Sequence, residues 1–124
     1  KLEKAYSDYF AKEGQKFQKA NDIAKAAENF TKSSQVSNKQ LKARGLFSLG
    51  TLYFNNGASI LQKATPYATS EKEKYEAEKA KALADFKKAQ DYLKQAATVE
   101  PTNEAVKETQ KQVADAIAPL VEKK

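Results

Sequence analysis

LFSLGTLYFNNGASILQKA (Leu46–Ala64) and DFKKAQDYLKQAATVEP (Asp85–Pro101) are the two stretches that decide the fold. Through the first, Leu41, Gly45/Leu46, Leu49/Gly50, Tyr53, Gly57, Ile60/Leu61 and Ala64 recur at steps of three and four, the face of an α-helix. The rhythm runs straight through Asn56-Gly57, a dipeptide that ordinarily marks a turn. One continuous helix is therefore predicted. Gly57 weakens it by about 1 kcal/mol relative to Ala and allows a neighbouring helix to approach closely. In the second stretch Phe86, Ala89, Leu93 and Ala96/Ala97 keep the same spacing. Between the two, Pro66 must end the first helix, and Ser70-Glu71-Lys72-Glu73 has the form of a capping box. Residues 43–101 thus read as one helical hairpin, with arms longer than the packing of two helices requires.

Working outward, Leu2, Ala5/Tyr6, Tyr9/Phe10, Gly14 and Phe17 mark the expected inner face of a helix over 1–19. Asn21 or Asp22 can cap a second helix, which carries Ile23, Ala26, Ala27 and Phe30 and fades at Ser33, Ser34, Ser37 and Asn38. The fourth helix turns Tyr75, the Lys79 stem, Ala82/Leu83, Phe86, Ala89 and Leu93 inward, with Glu78–Lys81 and Asp91–Lys94 as outer pairs. Pro101-Thr102-Asn103 is a turn. A fifth helix is expected over Glu104–Ala118, with Val106, Val113 and Ile117 inward and Pro119 kinking or ending it.

Composition agrees with an all-α chain. Gly and Pro together number seven in 124 residues, too few for a turn-rich β-sandwich. Cys, His, Met and Trp are absent, which removes disulfides, thiolate or imidazole metal sites, and the commonest bases and nucleophiles. Carboxylates such as Glu73 and Glu76 sit beside lysines on outer faces, as a solvated surface does. No glycine follows a strand as a phosphate loop requires. No enzyme, catalytic residue, metal, cofactor or small-molecule substrate is expected. The chain opens at Lys1 rather than Met, as expected of a processed, trimmed or partial chain. No apolar run is long enough to span a membrane, so membrane insertion is not expected. Net charge is +6, and the whole excess lies in residues 1–70. That basic side suits an acidic partner. Nucleic-acid binding is disfavoured because Arg44 is the only arginine and the aromatics keep helix periodicity. The sequon Asn29-Phe30-Thr31 lies mid-helix and is read as chance.

The two helix pairs repeat each other. Phe10 falls on Leu46, Gly14 on Gly50 and Phe17 on Tyr53; in the partner helices Ala26 falls on Ala89, Phe30 on Leu93, Ser33 on Ala96 and Asn38 on Pro101. A small residue lets the two helices of a pair approach, an aromatic three residues on fills the space beside it, and Asn or Pro ends the unit.

This pattern resembles the tetratricopeptide repeat (TPR). One copy over 7–40 carries Phe10, Gly14, Phe17, Ala26, Phe30 and Ser33. A second over 43–101 carries Leu46, Leu49-Gly50, Tyr53, Ala89, Leu93, Ala96 and Pro101, lengthened by about 27 residues because Ala89 stands where residue 62 is expected. The helix over 104–118 is the expected cap. The resemblance implies a TPR-like helical-hairpin stack of about five helices with the second hairpin elongated. It also implies a non-enzymatic protein- or peptide-binding scaffold and, by similarity to bacterial members of this kind, a periplasmic or cell-envelope setting. Its concave lining would include Lys12, Gln15, Lys19, Arg44, Phe47, Thr51, Phe54 and Asn55, with Asp8 and Ser48 beside them. Some members clamp a partner's carboxylate with a Lys and an Asn four residues later; the matching places here hold Ala11/Gln15 and Phe47/Thr51, so that activity is not expected. Fewer than three repeats make a marginal stack. Either the long hairpin and the fifth helix supply the missing burial, or the chain is part of something larger, or it self-associates; the alternative role is structural, a homo-oligomer assembled through the long hairpin over 54–88.

Overall fold

A computed structural model describes residues 2–121. Among the described residues the chain forms five α-helices: α1 (Leu2–Lys19), α2 (Ile23–Ser34), α3 (Lys39–Ala64), α4 (Lys72–Val99) and α5 (Glu104–Val121). A single 3₁₀ turn, Thr65–Tyr67, separates α3 from α4. The fold is all-α: α1 packs on α2, α3 on α4, the first pair on the second through α2 and α3, and α5 on α4.

Each helix start has a local cause. Asp22 accepts from the Lys25 N–H, Asn38 from the Leu41 N–H and Asn103 from the Val106 N–H, each satisfying a donor the helix leaves unpaired. Asn21 takes the left-handed turn before α2, with φ at 64°, a conformation asparagine tolerates better than most residues. The capping box expected at Ser70 does not form. Helix α4 begins at Lys72, and its cap residue Glu71 makes no side-chain capping bond. The chain leaves the 3₁₀ turn one residue late for Ser70 to reach the N-terminal amides. Asp91 accepts from Gln95 at 3.0 Å in place of the expected Lys94 pair, whereas Lys81 and Glu78 do meet, at 3.1 Å.

Helix α3 runs unbroken through Gly57, as the hydrophobic rhythm requires. A Cβ on Gly57 would lie 2.8 Å from the Phe86 ring and 3.0 Å from the Ala82 carbonyl oxygen. Gly14 and Gly50 play the same part in the two pairs: a Cβ would meet Phe30 at 2.5 Å and Leu93 at 2.7 Å. The core forms two connected clusters. One gathers Ala26, Phe30, Leu46, Leu49, Leu52, Ala96 and Val106; the other gathers Ala82, Phe86, Ala89, Leu93 and Val113.

Three expectations need correction. On α1 the buried residues are Ser7 and Gly14, not the aromatic stripe. Phe10 and Phe17 are half-buried, and Leu2, Ala5, Tyr6 and Tyr9 face outward. The reason is steric: α2 lies so close that only small groups fit between. Tyr53 is half-buried rather than a central core side chain; it stacks on Tyr92 with ring centroids 5.9 Å apart and planes 10° apart. Helix α5 continues past Ala118 to Val121 with Pro119 inside it, because Ile117 and Leu120 pack on the second cluster and hold the last turn in place. The sequon is folded into the core edge: Phe30 is 2% exposed and the Thr31 hydroxyl bonds the Ala27 carbonyl.

Candidate binding surface

The face shared by α1 and α3 is closed at one end by a polar junction. The Ser7 and Ser33 side chains, both fully buried, bond reciprocally: Ser7 Oγ donates to the Ser33 carbonyl and Ser33 Oγ to the Ser7 carbonyl, each at 2.8 Å. Arg44 reaches across from α3, donating from Nη2 to Ser7 Oγ at 2.8 Å. Its Nη1 lies 2.7 Å from Asp8 Oδ1, an ion pair across the two helices. Lys4 bonds the other oxygen of Asp8 at 2.7 Å. The hydrogen-bonding Lys4 ammonium first, and the Arg44 guanidinium second, hold the Asp8 carboxyl below its ordinary value of 3.8. Arg44 is thus occupied within the chain, and its guanidinium ties α1 to α3.

A second clasp lies beside it. The Glu3 carboxylate accepts from the Ser37 hydroxyl and N–H, each at 2.7 Å, and from the Asn38 N–H at 3.0 Å. The Ser37 hydroxyl leads in lowering the Glu3 pKa below its ordinary 4.5. The α1 start is thereby pinned to the α2–α3 turn.

The eight residues proposed for the concave lining do not converge on one pocket. Lys12, Gln15 and Lys19 are exposed and line one shallow recess along α1 with Lys16 and Ala20. Asn55 lines a separate recess with Gln18, Asn21, Ile23, Leu52, Asn56 and Ser59, where α3 rises past the α1–α2 turn. Phe47 and Phe54 are half-buried against the second core cluster, Phe54 at 5.6 Å from the Phe86 ring centroid. Thr51 is half-buried and donates to the Ser48 carbonyl. The resemblance assigned these residues to a lining helix by helix, and sequence reasoning carried no information on how far apart the helices hold them. It also missed the Ser7–Ser33–Arg44 junction. The register carried a signal for that junction, since Ser7 falls where α3 has the buried Ala43.

Along the outer half of the long hairpin, Asn56 donates to Asp85 at 2.6 Å, and Lys74 sits 4.0 Å from the centroid of the Tyr67 ring. Burial leads in raising the Tyr53 phenol above its ordinary value of 10.0, with Tyr92 and Asp85 adding to it. Among the described residues no helix is long and apolar enough to cross a membrane.

No family model matches this chain, and no curated protein matches it. Among solved structures, a TPR repeats protein from Bacteroides fragilis is similar at 52% identity and a TM-score of 0.92. The match covers 94% of this chain and 52% of that one, so this chain spans about half the length of its relative. With two glycine-mediated helix pairs stacked through α2 and α3, and a likeness of that degree over 94% of its length, the chain has a TPR-like helical-hairpin fold and resembles the TPR family.

Proposed function

We propose that this chain is a non-enzymatic protein-binding module. It takes an acidic segment of a partner on the face of α1 and α3, with 7–40 and 43–101 as its repeats and 104–118 as the core of its cap. The helical-repeat fold is one generally used for protein interaction, and it offers extended surfaces rather than enclosed cavities. The observation that carries the reading is the division of labour among the cations on this side. Arg44 and Lys4 are held by Asp8, whereas Lys19, beside Gln15 on α1, is exposed and engages no carboxylate among the described residues. An acidic segment would gain Lys19, Gln15 and the Asn55 amide without breaking an internal pair. A periplasmic or cell-envelope setting is part of the proposal and rests on the resemblance alone.

The test is fluorescence anisotropy with a labelled Asp/Glu-rich peptide bearing one aromatic residue. Binding should weaken about tenfold for Lys19→Glu combined with Gln15→Glu, and weaken with added salt. Binding that ignores both the substitutions and the salt would reject this face as the site.

A further inference from the structure

Arg44 has two separate holds, one in the interior of the chain and one at its surface. Its Nη2 donates to Ser7 Oγ at 2.8 Å, and Ser7 is fully buried and locked to Ser33 by the reciprocal bonds between them. Its Nη1 meets the Asp8 carboxylate at 2.7 Å, in a pair whose side chains keep 41% and 32% of their surface exposed. A bond to a buried hydroxyl persists, because breaking it strands a polar group away from water. An ion pair this exposed is held weakly. Release of Asp8 therefore leaves the guanidinium in place.

The other Asp8 oxygen accepts from Lys4 at 2.7 Å. The carboxylate thus sits between two cations, one of them already oriented from behind. A guanidinium fixed by a second bond, with an ammonium at its side, is what a site for a foreign carboxylate requires. Here the chain fills that position with a carboxylate of its own.

Asp8 is also in line with the proposed binding face. Asp8, Lys12, Gln15 and Lys19 follow one another at steps of four, three and four, one stripe of α1. In the register that sets Phe10 on Leu46, Asp8 falls on Arg44 and Lys19 on Asn55. The stripe is basic or neutral except at Asp8, so its acid stands where the basic row would otherwise continue into Arg44. Asp8 and Lys19 are separated by about 16 Å at the rise of an α-helix, the span of about five residues of extended peptide. A segment with two carboxylates at that spacing matches Lys19 at one end and the Arg44–Lys4 pair at the other.

We infer that Arg44 and Lys4 form a second carboxylate position on the binding face, and that Asp8, by occupying it, confines an acidic partner to the Lys19 end. A partner carboxylate approaching Arg44 meets Asp8 both as a competitor and as a like charge. Asp8 is in this sense a specificity-determining residue, setting how many carboxylates of a partner the face can hold. This second position deepens the acidic-partner reading and rests on it.

Fluorescence anisotropy with the full chain tests it, using a labelled serine–glycine peptide that carries two glutamates about five residues apart. Asp8→Asn keeps the size of the side chain and should tighten binding about tenfold. Arg44→Gln added to Asp8→Asn should return the affinity to within about threefold of the original. Glu28→Gln, at an exposed position on α2, removes the same charge away from the face and should change the affinity less than about twofold. Circular dichroism should show all three variants helical. Equal tightening by Asp8→Asn and Glu28→Gln would be an effect of net charge and would overturn the inference. Unchanged or weaker binding by Asp8→Asn, a gain that survives Arg44→Gln, or loss of helix in Asp8→Asn would overturn it as well, the last by making Asp8 a structural tie. The reading beneath it fails separately. If Lys19→Glu leaves the affinity of the original chain unchanged while Asp8→Asn still tightens binding through Arg44, the second position stands and the Lys19 end does not. No binding by either the original chain or Asp8→Asn would overturn both.

Discussion

At the scale of single residues, the glycines of α3 separate two kinds of close contact. Gly50 faces the end of the flexible Leu93 side chain, whereas Gly45 faces Ser34 backbone atoms at 2.7 Å. Alanine at either position gains about 1 kcal/mol in helix propensity. At Gly45 the backbone must move, and overpacking of this kind costs about 1–3 kcal/mol. Gly45→Ala is therefore expected to lower the urea midpoint more than Gly50→Ala, and the reverse order would show that α2 gives way easily. The aromatics are ranked by burial: Phe86 is 1% exposed and Tyr53 half-buried. Phe86→Ala should cost about 3–5 kcal/mol, with Tyr53→Ala well below it by the same measurement. Acid sensitivity follows from the two clasps. Glu3 and Asp8 both have depressed pKa values, so the stability they contribute is present above the ordinary values of 4.5 and 3.8 and is lost as pH falls through the depressed ones. Glu3→Gln with Asp8→Asn should flatten the fall in urea midpoint below about pH 4.5; an unchanged slope would mean the clasps open in solution.

The elements show where the sequence was legible and where it was not. Helix α3 could be read from sequence because its apolar rhythm persists across Asn56-Gly57, and a rhythm that long outweighs one turn dipeptide. Asp22, Asn38 and Asn103 were legible as boundaries because capping is a local contest between one side chain and its own backbone. Ser70 failed for the same reason turned around: it has the correct chemistry, but the 3₁₀ turn around Pro66 sets the entry angle, and that depends on how α3 and α4 meet. The inner face of α1 was misread because Tyr6 and Tyr9 share helical spacing with Phe10 and Phe17. Spacing cannot distinguish the face under α2 from the face beside it. The proposed lining residues were identified helix by helix, and the distance between the recess of Lys19 and that of Asn55 is a tertiary quantity. The uncapped start of α4 also makes a prediction. Glu71→Ser places a good cap at the observed boundary and should stabilise by about 0.5–1 kcal/mol. A thermal midpoint that does not rise would place the helix start elsewhere in solution.

For the whole molecule the question is how two helical hairpins, the second of them lengthened, hold together with α5 as one cooperative unit, when short stacks of this architecture are marginal. Helix α5, like α4, contributes to both clusters. Val106 belongs to the first, with Leu46 and Ala96, and Val113 to the second, with Phe86 and Leu93; Ile117 and Leu120 pack beside the latter. Burying an aliphatic side chain of this size stabilises by about 1.5–3 kcal/mol. The two fully buried valines and the two half-buried residues together thus approach the 5–15 kcal/mol total typical of a domain. Pro119 leaves a gap in the last turn, and Leu120 contacts keep that turn helical in spite of it. A chain ending at Asn103 should consequently lose more than a peripheral helix. Its thermal transition should fall by well over 10 °C, since about 1 kcal/mol shifts a domain of this size by several degrees. The transition should also broaden, because the hairpin then unfolds without its second cluster covered. Native-state hydrogen exchange would show the order of loss, with amides around Phe86 and Leu93 opening before those around Phe30. A truncated chain that melts within a few degrees of the full one, with the same steepness, would mean that α3 and α4 alone sustain the stack and that α5 only covers its end.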